Sequence, residues 1–85
     1  MTVLFLPNGL PHDRLGVIAS RRIGNAVRRN KAKRLIREIF RLNKQRPAGW
    51  DLVVIPKPEL PDADFTALEA DFRSIRHRHG KRARA

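Results

Sequence analysis

The alternation of apolar and polar positions along the chain predicts five secondary-structure elements. Short apolar runs rich in valine, isoleucine and phenylalanine are typical of β-strands, whereas apolar positions recurring every three and four residues are typical of amphipathic helices. The predicted order is strand, strand, helix, strand, helix. The strands are predicted at residues 2–6, 15–20 and 51–55, and the helices from residue 26 or 30 to 43 and from residue 62 or 64 onward. The third strand is continuously apolar, which predicts burial on both of its faces.

Turn-forming residues and caps set the boundaries of these elements. Pro7 and Gly9 end the first strand, and the eight residues before the second strand suit an antiparallel hairpin with a loose loop. Asn25 is a candidate cap for the first helix, and Pro47 and Gly49 end that helix. The predicted fold is an α+β sandwich in which helices cover a small sheet. With only three strands, one face of that sheet is at risk of staying uncovered.

The first predicted helix has two faces of different kinds. Its apolar stripe consists of Leu35, Ile36, Ile39 and Phe40. Its opposite face consists of Asn30, Lys33, Arg34, Arg37, Arg41 and Lys44. Because cations three and four residues apart repel one another, this face favours a bound anion, and a phosphodiester backbone suits its regular spacing. A solvated face usually mixes signs, and Glu38 is the only acid in the helix, so we favour a nucleic-acid contact.

The overall charge supports a polyanionic partner. The 85 residues carry a formal net charge of +11, which indicates a nucleic acid, an anionic membrane or an acidic protein. The charge is segregated: twelve bases accompany one acid in residues 14–46, and six acids accompany one base in residues 51–71. Residues 72–85 then carry six bases and no acid. The positive field is therefore concentrated on particular elements.

Composition excludes several classes of protein. The chain has no cysteine, which excludes disulfide scaffolds and thiolate metal sites and fits a reducing cytoplasm. No apolar run reaches the roughly 18 residues that a membrane span needs, so we predict no membrane partner. No pair of carboxylates is placed for metal-assisted hydrolysis, and Ser20 has no neighbouring histidine base. His77 and His79 fit phosphate contact or solvation better than a metal site. We predict no catalytic residue and no protein metal site.

Three other function classes stay open at this point. A ribosomal or other structural RNA-binding module has the same composition and charge layout. A membrane-active cationic peptide is disfavoured by the strand-like segments and the prolines. A self-sufficient nuclease is disfavoured by the lack of an acid–base or metal constellation.

One long motif favours a more specific assignment than a ribosomal or other structural RNA-binding module. Residues 20–38 read SRRIGNAVRRNKAKRLIRE. This run resembles the signature of the protein subunit of bacterial ribonuclease P, in which a serine and two basic residues precede Gly-x-Ala-Val and then Arg-Asn-Arg-x-x-Lys-Arg-x-x-Arg-Glu. The strand at 51–55 and the closing amphipathic helix also stand where that family has its last strand and helix. The resemblance therefore covers essentially the whole chain.

The resemblance implies a fold and a function. The implied fold is the ribonuclease P protein-like sandwich, with a left-handed crossover around the basic helix. The implied function is to bind the catalytic ribonuclease P RNA and precursor tRNA and to assist removal of the tRNA 5′ leader in the cytoplasm. The chemistry would be carried by the RNA with bound Mg²⁺, and no obligate protein partner is implied. We accordingly predict one RNA-binding domain, residues 1–79, and a basic disordered tail, residues 80–85.

The resemblance also assigns roles to residues of this chain. The residues predicted to contact RNA are Arg21, Arg22, Arg28, Arg29, Asn30, Lys31, Lys33, Arg34 and Arg37. Phe5 is the candidate for stacking on a leader base, and a core role fits it equally well. Two features depart from the family pattern. Lys31 replaces the arginine of the motif and loses its bidentate geometry, and the helix and strand that usually precede the segment at 2–6 have no counterpart, so leader binding is the weaker expectation.

Overall fold

The computed structural model describes residues 1–44 and 49–84, with side chains described as far as residue 79. Within this part of the chain the strands are β1 (Thr2–Pro7), β2 (Arg14–Val17) and β3 (Trp50–Ile55). The helices are α1 (Ala26–Leu42) and α2 (Phe65–Arg84). Short 3₁₀ turns lie at Arg21–Ile23 and Leu60–Asp62. The predicted element order and the α+β class are confirmed. Pro47, which was predicted to end the first helix, lies outside the described residues. The side chains of the predicted tail, residues 80–85, also lie outside them, and the disorder of this tail stays a prediction.

The sheet topology differs from the predicted hairpin. The strand order is β1-β3-β2, with β1 antiparallel and β2 parallel to β3. The hairpin between the first two strands is therefore wrong, because β3 lies between them. Leu52 and Val54 of β3 are fully buried, and the strand that buries most apolar surface takes the central position. The predicted second strand, residues 15–20, is also shorter in the structure, where β2 is Arg14–Val17.

Local sequence signals set both ends of α1. The side chain of Asn25 accepts a hydrogen bond from the backbone N–H of Arg28 at 3.1 Å, which confirms the predicted cap. At the other end the side-chain amide of Asn43 donates to the Ile39 carbonyl at 2.8 Å.

Helix α1 connects the parallel strands β2 and β3, and the handedness of this crossover stays a prediction. None of the described helices is long and apolar enough to cross a membrane.

The core lies between one face of the sheet and the two helices. Its buried apolar residues are Ile23, Ala32, Ile36, Ile39, Leu52, Val54, Leu60, Leu68 and Phe72. This confirms the apolar stripes predicted for both helices. The second helix was predicted to start at residue 62 or 64, and Asp64 is its cap, since the carboxylate of Asp64 accepts from the Ala67 N–H at 3.3 Å. Asp62 instead pairs with Arg28.

The opposite face of the sheet stays largely uncovered, as expected for a sheet of only three strands. Leu4 and Leu6 of β1 are 49% and 55% exposed, and Ile55 of β3 is 38% exposed. The prediction that β3 is buried on both faces is therefore wrong. Successive side chains of a strand point to opposite faces, and both helices contribute their buried residues to the face that carries Leu52 and Val54.

Candidate RNA interface

Exposed cations without acidic partners lie along the outer face of α1. Lys31, Arg34 and Arg37 are exposed, and within the described part of the chain none of them forms an ion pair. Their spacing of three residues places them on adjacent turns of one face. Asn30 is exposed beside them, whereas Lys33 is half-buried. Of the face predicted from the sequence, Asn30, Arg34 and Arg37 are thus exposed, and the charges of these two arginines and of Lys31 are available to an anion.

Glu38, the one acid of this helix, neutralises only one residue of that face. Its carboxylate is paired with Arg41, one turn further along α1. The hydrogen bond from Arg41 holds the pKa of the Glu38 carboxyl below its ordinary value. The charges of Glu38 and Arg41 therefore offset each other, and within the described residues the acid pairs with neither Arg34 nor Arg37.

A second group of cations precedes α1. Arg21 and Arg22 occupy the 3₁₀ turn at Arg21–Ile23 and are exposed, whereas Ile23 is buried in the core. Gly24 follows with φ of 127°, a conformation that residues with a Cβ rarely adopt. The guanidinium of Arg29 donates to the Gly24 carbonyl at 3.4 Å. The turn is thereby joined to the first turn of the helix, and its two arginines extend the cationic face. We call the combination of this turn and the outer face of α1 the cationic surface.

Arg28, also predicted to contact RNA, has a different environment. Its guanidinium forms two hydrogen bonds with the Asp62 carboxylate, at 3.0 and 2.8 Å. This pairing lowers the pKa of the Asp62 carboxyl and raises the pKa of the Arg28 guanidinium. Arg28 further donates to the Ile23 carbonyl at 2.9 Å. Most of the N–H donors of the Arg28 guanidinium are thus already bound to acceptors within the protein.

Phe5, the candidate for leader contact, is part of an aromatic cluster. Its ring stacks on the His79 imidazole with centroids 3.9 Å apart and planes 5° apart. The Trp50 ring meets the same imidazole edge-on, with centroids 4.7 Å apart. Phe5 and Trp50 are both half-buried against the core. One face of the Phe5 ring is therefore already occupied, and contact with a leader base stays a prediction.

Three acids form long-range pairs that organise the structure. None of them was predicted from the sequence to belong to a functional site. Asp51 pairs with Arg14 at 2.7 Å and accepts from Asn8 at 3.0 Å, which lowers the pKa of its carboxyl to about 2. Asp13 forms a buried pair with Arg76 at 3.0 Å, and Asp62 holds Arg28. No short-range signal identifies these pairs, because the partners lie 34 to 63 residues apart.

The comparisons with known proteins agree with this arrangement. The family profile described as Ribonuclease P matches residues 1–80. The chain is 49% identical over 77 residues to the "Ribonuclease P protein component" of Thermotoga sp. (strain RQ2), covering 89% of this chain and 63% of that protein. It is 43% identical over 74 residues to the "Ribonuclease P protein component" of Azotobacter vinelandii, covering 86% of this chain and 57% of that protein. The chain thus spans less than two thirds of the length of these curated relatives.

Solved structures show the same fold. The RNase P protein from Thermotoga maritima superposes with a TM-score of 0.77 at 44% identity, over 86% of this chain and 71% of that protein. The Staphylococcus aureus RNase P protein superposes with a TM-score of 0.71 at 34% identity, over 85% of this chain and 67% of that protein. The sheet and both helices described above therefore belong to an arrangement already observed experimentally.

Proposed function

Because the chain belongs to the ribonuclease P protein family, we propose that it serves as the protein subunit of a ribonuclease P. In this role it binds the catalytic RNA and precursor tRNA and assists endonucleolytic removal of the tRNA 5′ leader. The observation that carries the proposal is the cationic surface. Among the described residues, Lys31, Arg34 and Arg37 are exposed without an acidic partner on the face of α1 opposite the apolar stripe that attaches the helix to the core, and the exposed Arg21 and Arg22 precede them in the turn.

The cationic surface supplies affinity by neutralising phosphates. Each phosphate that pairs with a lysine or arginine releases condensed counterions, so the binding constant falls steeply as salt rises. Arg34 and Arg37, one turn apart, suit successive phosphates, and arginine can bind a phosphate with two parallel hydrogen bonds. Arg21, Arg22, Arg29, Asn30, Lys31 and Lys33 complete the proposed contacts on the turn and the helix.

The division of labour with the RNA is also part of the proposal. Hydrolysis of the phosphodiester is assigned to the RNA and its bound Mg²⁺, and the chain is assigned to binding and orientation. Among the described residues no group of three or more histidines, aspartates or glutamates is arranged to hold a metal ion. We therefore assign no catalytic step to a side chain of this protein. Its action in the cytoplasm, without an obligate protein partner, stays a prediction.

The experiment that tests this function is cleavage of precursor tRNA by the cognate catalytic RNA at low Mg²⁺, with and without the chain. We expect stimulation by the wild-type chain and a loss of stimulation for Arg34→Glu. Arg78→Glu is the matched control, since it makes the same charge change at an exposed position of α2. Binding without stimulation would instead favour a structural RNA-binding module, and equal effects of the two variants would indicate non-specific attraction.

A further inference from the structure

We propose that Arg28 and Asp62 are positioning residues, which hold the Arg21–Ile23 turn in register with α1 so that both parts of the cationic surface meet RNA together. This inference rests on the proposed RNA-binding function. It removes Arg28 from the set of phosphate ligands and assigns a role in RNA binding to an acid.

Arg28 links three separate segments of the chain. Its Nε–H donates to the Ile23 carbonyl at 2.9 Å, at the end of the 3₁₀ turn. Its two terminal nitrogens donate to the two oxygens of Asp62 at 3.0 and 2.8 Å, and one of them also reaches the Pro58 carbonyl at 3.4 Å. A guanidinium has five N–H donors in a rigid plane. Four of them are used here, so little capacity is left for a phosphate.

The segment between the turn and the helix is shaped around this side chain. A Cβ on Gly24 would lie 2.9 Å from Cδ of Arg28, closer than real Cβ atoms approach a neighbour. Gly24 also has a φ of 127°. Glycine thus permits both the backbone conformation and the passage of Arg28 above it. With Arg29 bonded to the Gly24 carbonyl, consecutive arginines of α1 bind consecutive carbonyls of the incoming chain.

The consequence falls on Arg21 and Arg22. These residues lie in the turn that Arg28 holds by the Ile23 carbonyl, and their own side chains are exposed. If the bond to Ile23 is lost, the turn keeps its internal hydrogen bond from the Gly24 N–H to the Arg21 carbonyl at 3.0 Å. Among the described contacts, its attachment to the rest of the protein then depends on the buried Ile23 side chain and the weaker Arg29 contact. Asp62 acts one step further away, because it fixes the plane of the guanidinium through both of its oxygens.

Neutralising Asp62 separates this proposal from simple charge attraction. An acid beside a phosphate-binding surface repels RNA, and Asp62 adjoins that surface because it pairs with Arg28 in the first turn of α1 at 2.8 Å. Charge attraction alone therefore predicts that Asp62→Asn strengthens RNA binding. The positioning role predicts binding several-fold weaker. Glu59→Gln is the matched control, since Glu59 is exposed in the same segment and forms no ion pair among the described residues; binding by this variant should be unchanged or tighter.

Arg28→Lys provides the second test, because lysine keeps the charge and loses the planar bonds to Asp62 and Ile23. We expect weaker binding although the charge of the side chain is kept, because the turn that carries Arg21 and Arg22 is no longer held. Binding equal to that of the wild type would show that only the charge of Arg28 matters. Asp62→Glu, which keeps a carboxylate, should restore part of the affinity lost in Asp62→Asn. Replacing Arg21 and Arg22 together by alanine should also weaken binding less in the Asp62→Asn background than in the wild type.

The measurements are RNA affinities over a salt series, made well below the thermal midpoint of each variant as determined by circular dichroism. A merely structural role would lower the midpoint and leave the affinity of the folded protein unchanged, which would overturn the proposal. Tighter binding by Asp62→Asn, or full additivity with the Arg21 and Arg22 replacements, would overturn it too. Failure of the wild-type chain to bind RNA with steep salt dependence would reject the proposed function itself, and the wild-type series reveals that outcome separately.

Discussion

The buried ion pair between Asp13 and Arg76 gives the sharpest prediction about stability. Arg76 of α2 is 4% exposed and Asp13, in the loop between β1 and β2, is 8% exposed. Asp13 has further partners, since its other oxygen accepts from the backbone N–H groups of Gly49 and Trp50, both at 2.9 Å. One carboxylate therefore fastens the β1–β2 loop to the start of β3 and to the last helix.

Asp13→Ala should destabilise the protein strongly. Removing one partner of a buried pair costs about 3–5 kcal/mol, because the buried Arg76 guanidinium loses a charged, hydrogen-bonded carboxylate. The 85-residue chain is expected to have a total free energy of unfolding of about 4–13 kcal/mol, from about 0.05–0.15 kcal/mol per residue. The substitution therefore removes a large part of the stability, and it also leaves two backbone N–H groups without their acceptor.

The assay is equilibrium unfolding by urea, followed by circular dichroism. Glu59→Ala serves as the surface control and should change the free energy of unfolding by no more than about 0.5 kcal/mol. Combining Asp13→Ala with Arg76→Met should recover stability relative to Asp13→Ala alone, since the double variant no longer buries a guanidinium that has lost a carboxylate partner. A loss below about 1 kcal/mol for Asp13→Ala, or no recovery in the double variant, would refute the reasoning.

Four further predictions follow from the site and its supports. Arg34→Glu should weaken RNA binding much more than Arg78→Glu, with a smaller salt slope, in binding titrations over a salt series. Asn25→Ala removes the cap of α1 and should lower the free energy of unfolding by about 1 kcal/mol, measured in urea. The pKa of the Asp51 carboxyl is about 2 in the folded protein, below its ordinary value of 3.8; its stabilising contribution is therefore present above pH 4 and lost as pH falls toward 2. Unfolding curves over that range should show the loss, and Asp51→Asn should reduce it. Sulfate or phosphate should raise the thermal midpoint, because an anion that binds the +11 folded chain stabilises it; a sodium chloride series at equal ionic strength is the control.

Two of these tests have clear contrary outcomes. Equal effects of Arg34→Glu and Arg78→Glu would mean that the protein attracts RNA by net charge alone. A midpoint that rises equally with chloride and sulfate at matched ionic strength would indicate general screening in place of a bound anion.

Much of the local structure was predictable from the sequence by itself. The two faces of α1, its cap at Asn25, the apolar stripe of α2 and the positions of all three strands follow from patterns within a few residues. Such patterns are reliable because helix and strand geometry repeat every 3.6 and 2 residues. The motif at residues 20–38 likewise carried the family assignment and most of the cationic surface, since its residues are neighbours in the chain.

Only the tertiary structure decided which segments meet. The strand order placed β3 between β1 and β2, because the most apolar strand is buried best at the centre, and no local signal in the β1–β2 loop reveals that outcome. The partners of Arg28 and Phe5 were decided in the same way: Arg28 pairs with Asp62, 34 residues away, and Phe5 stacks on His79 near the other end of the chain. The chemical type of a charged or aromatic side chain is known from the sequence. Its interaction partner is set by long-range packing, in which groups distant in the chain compete for the same neighbours.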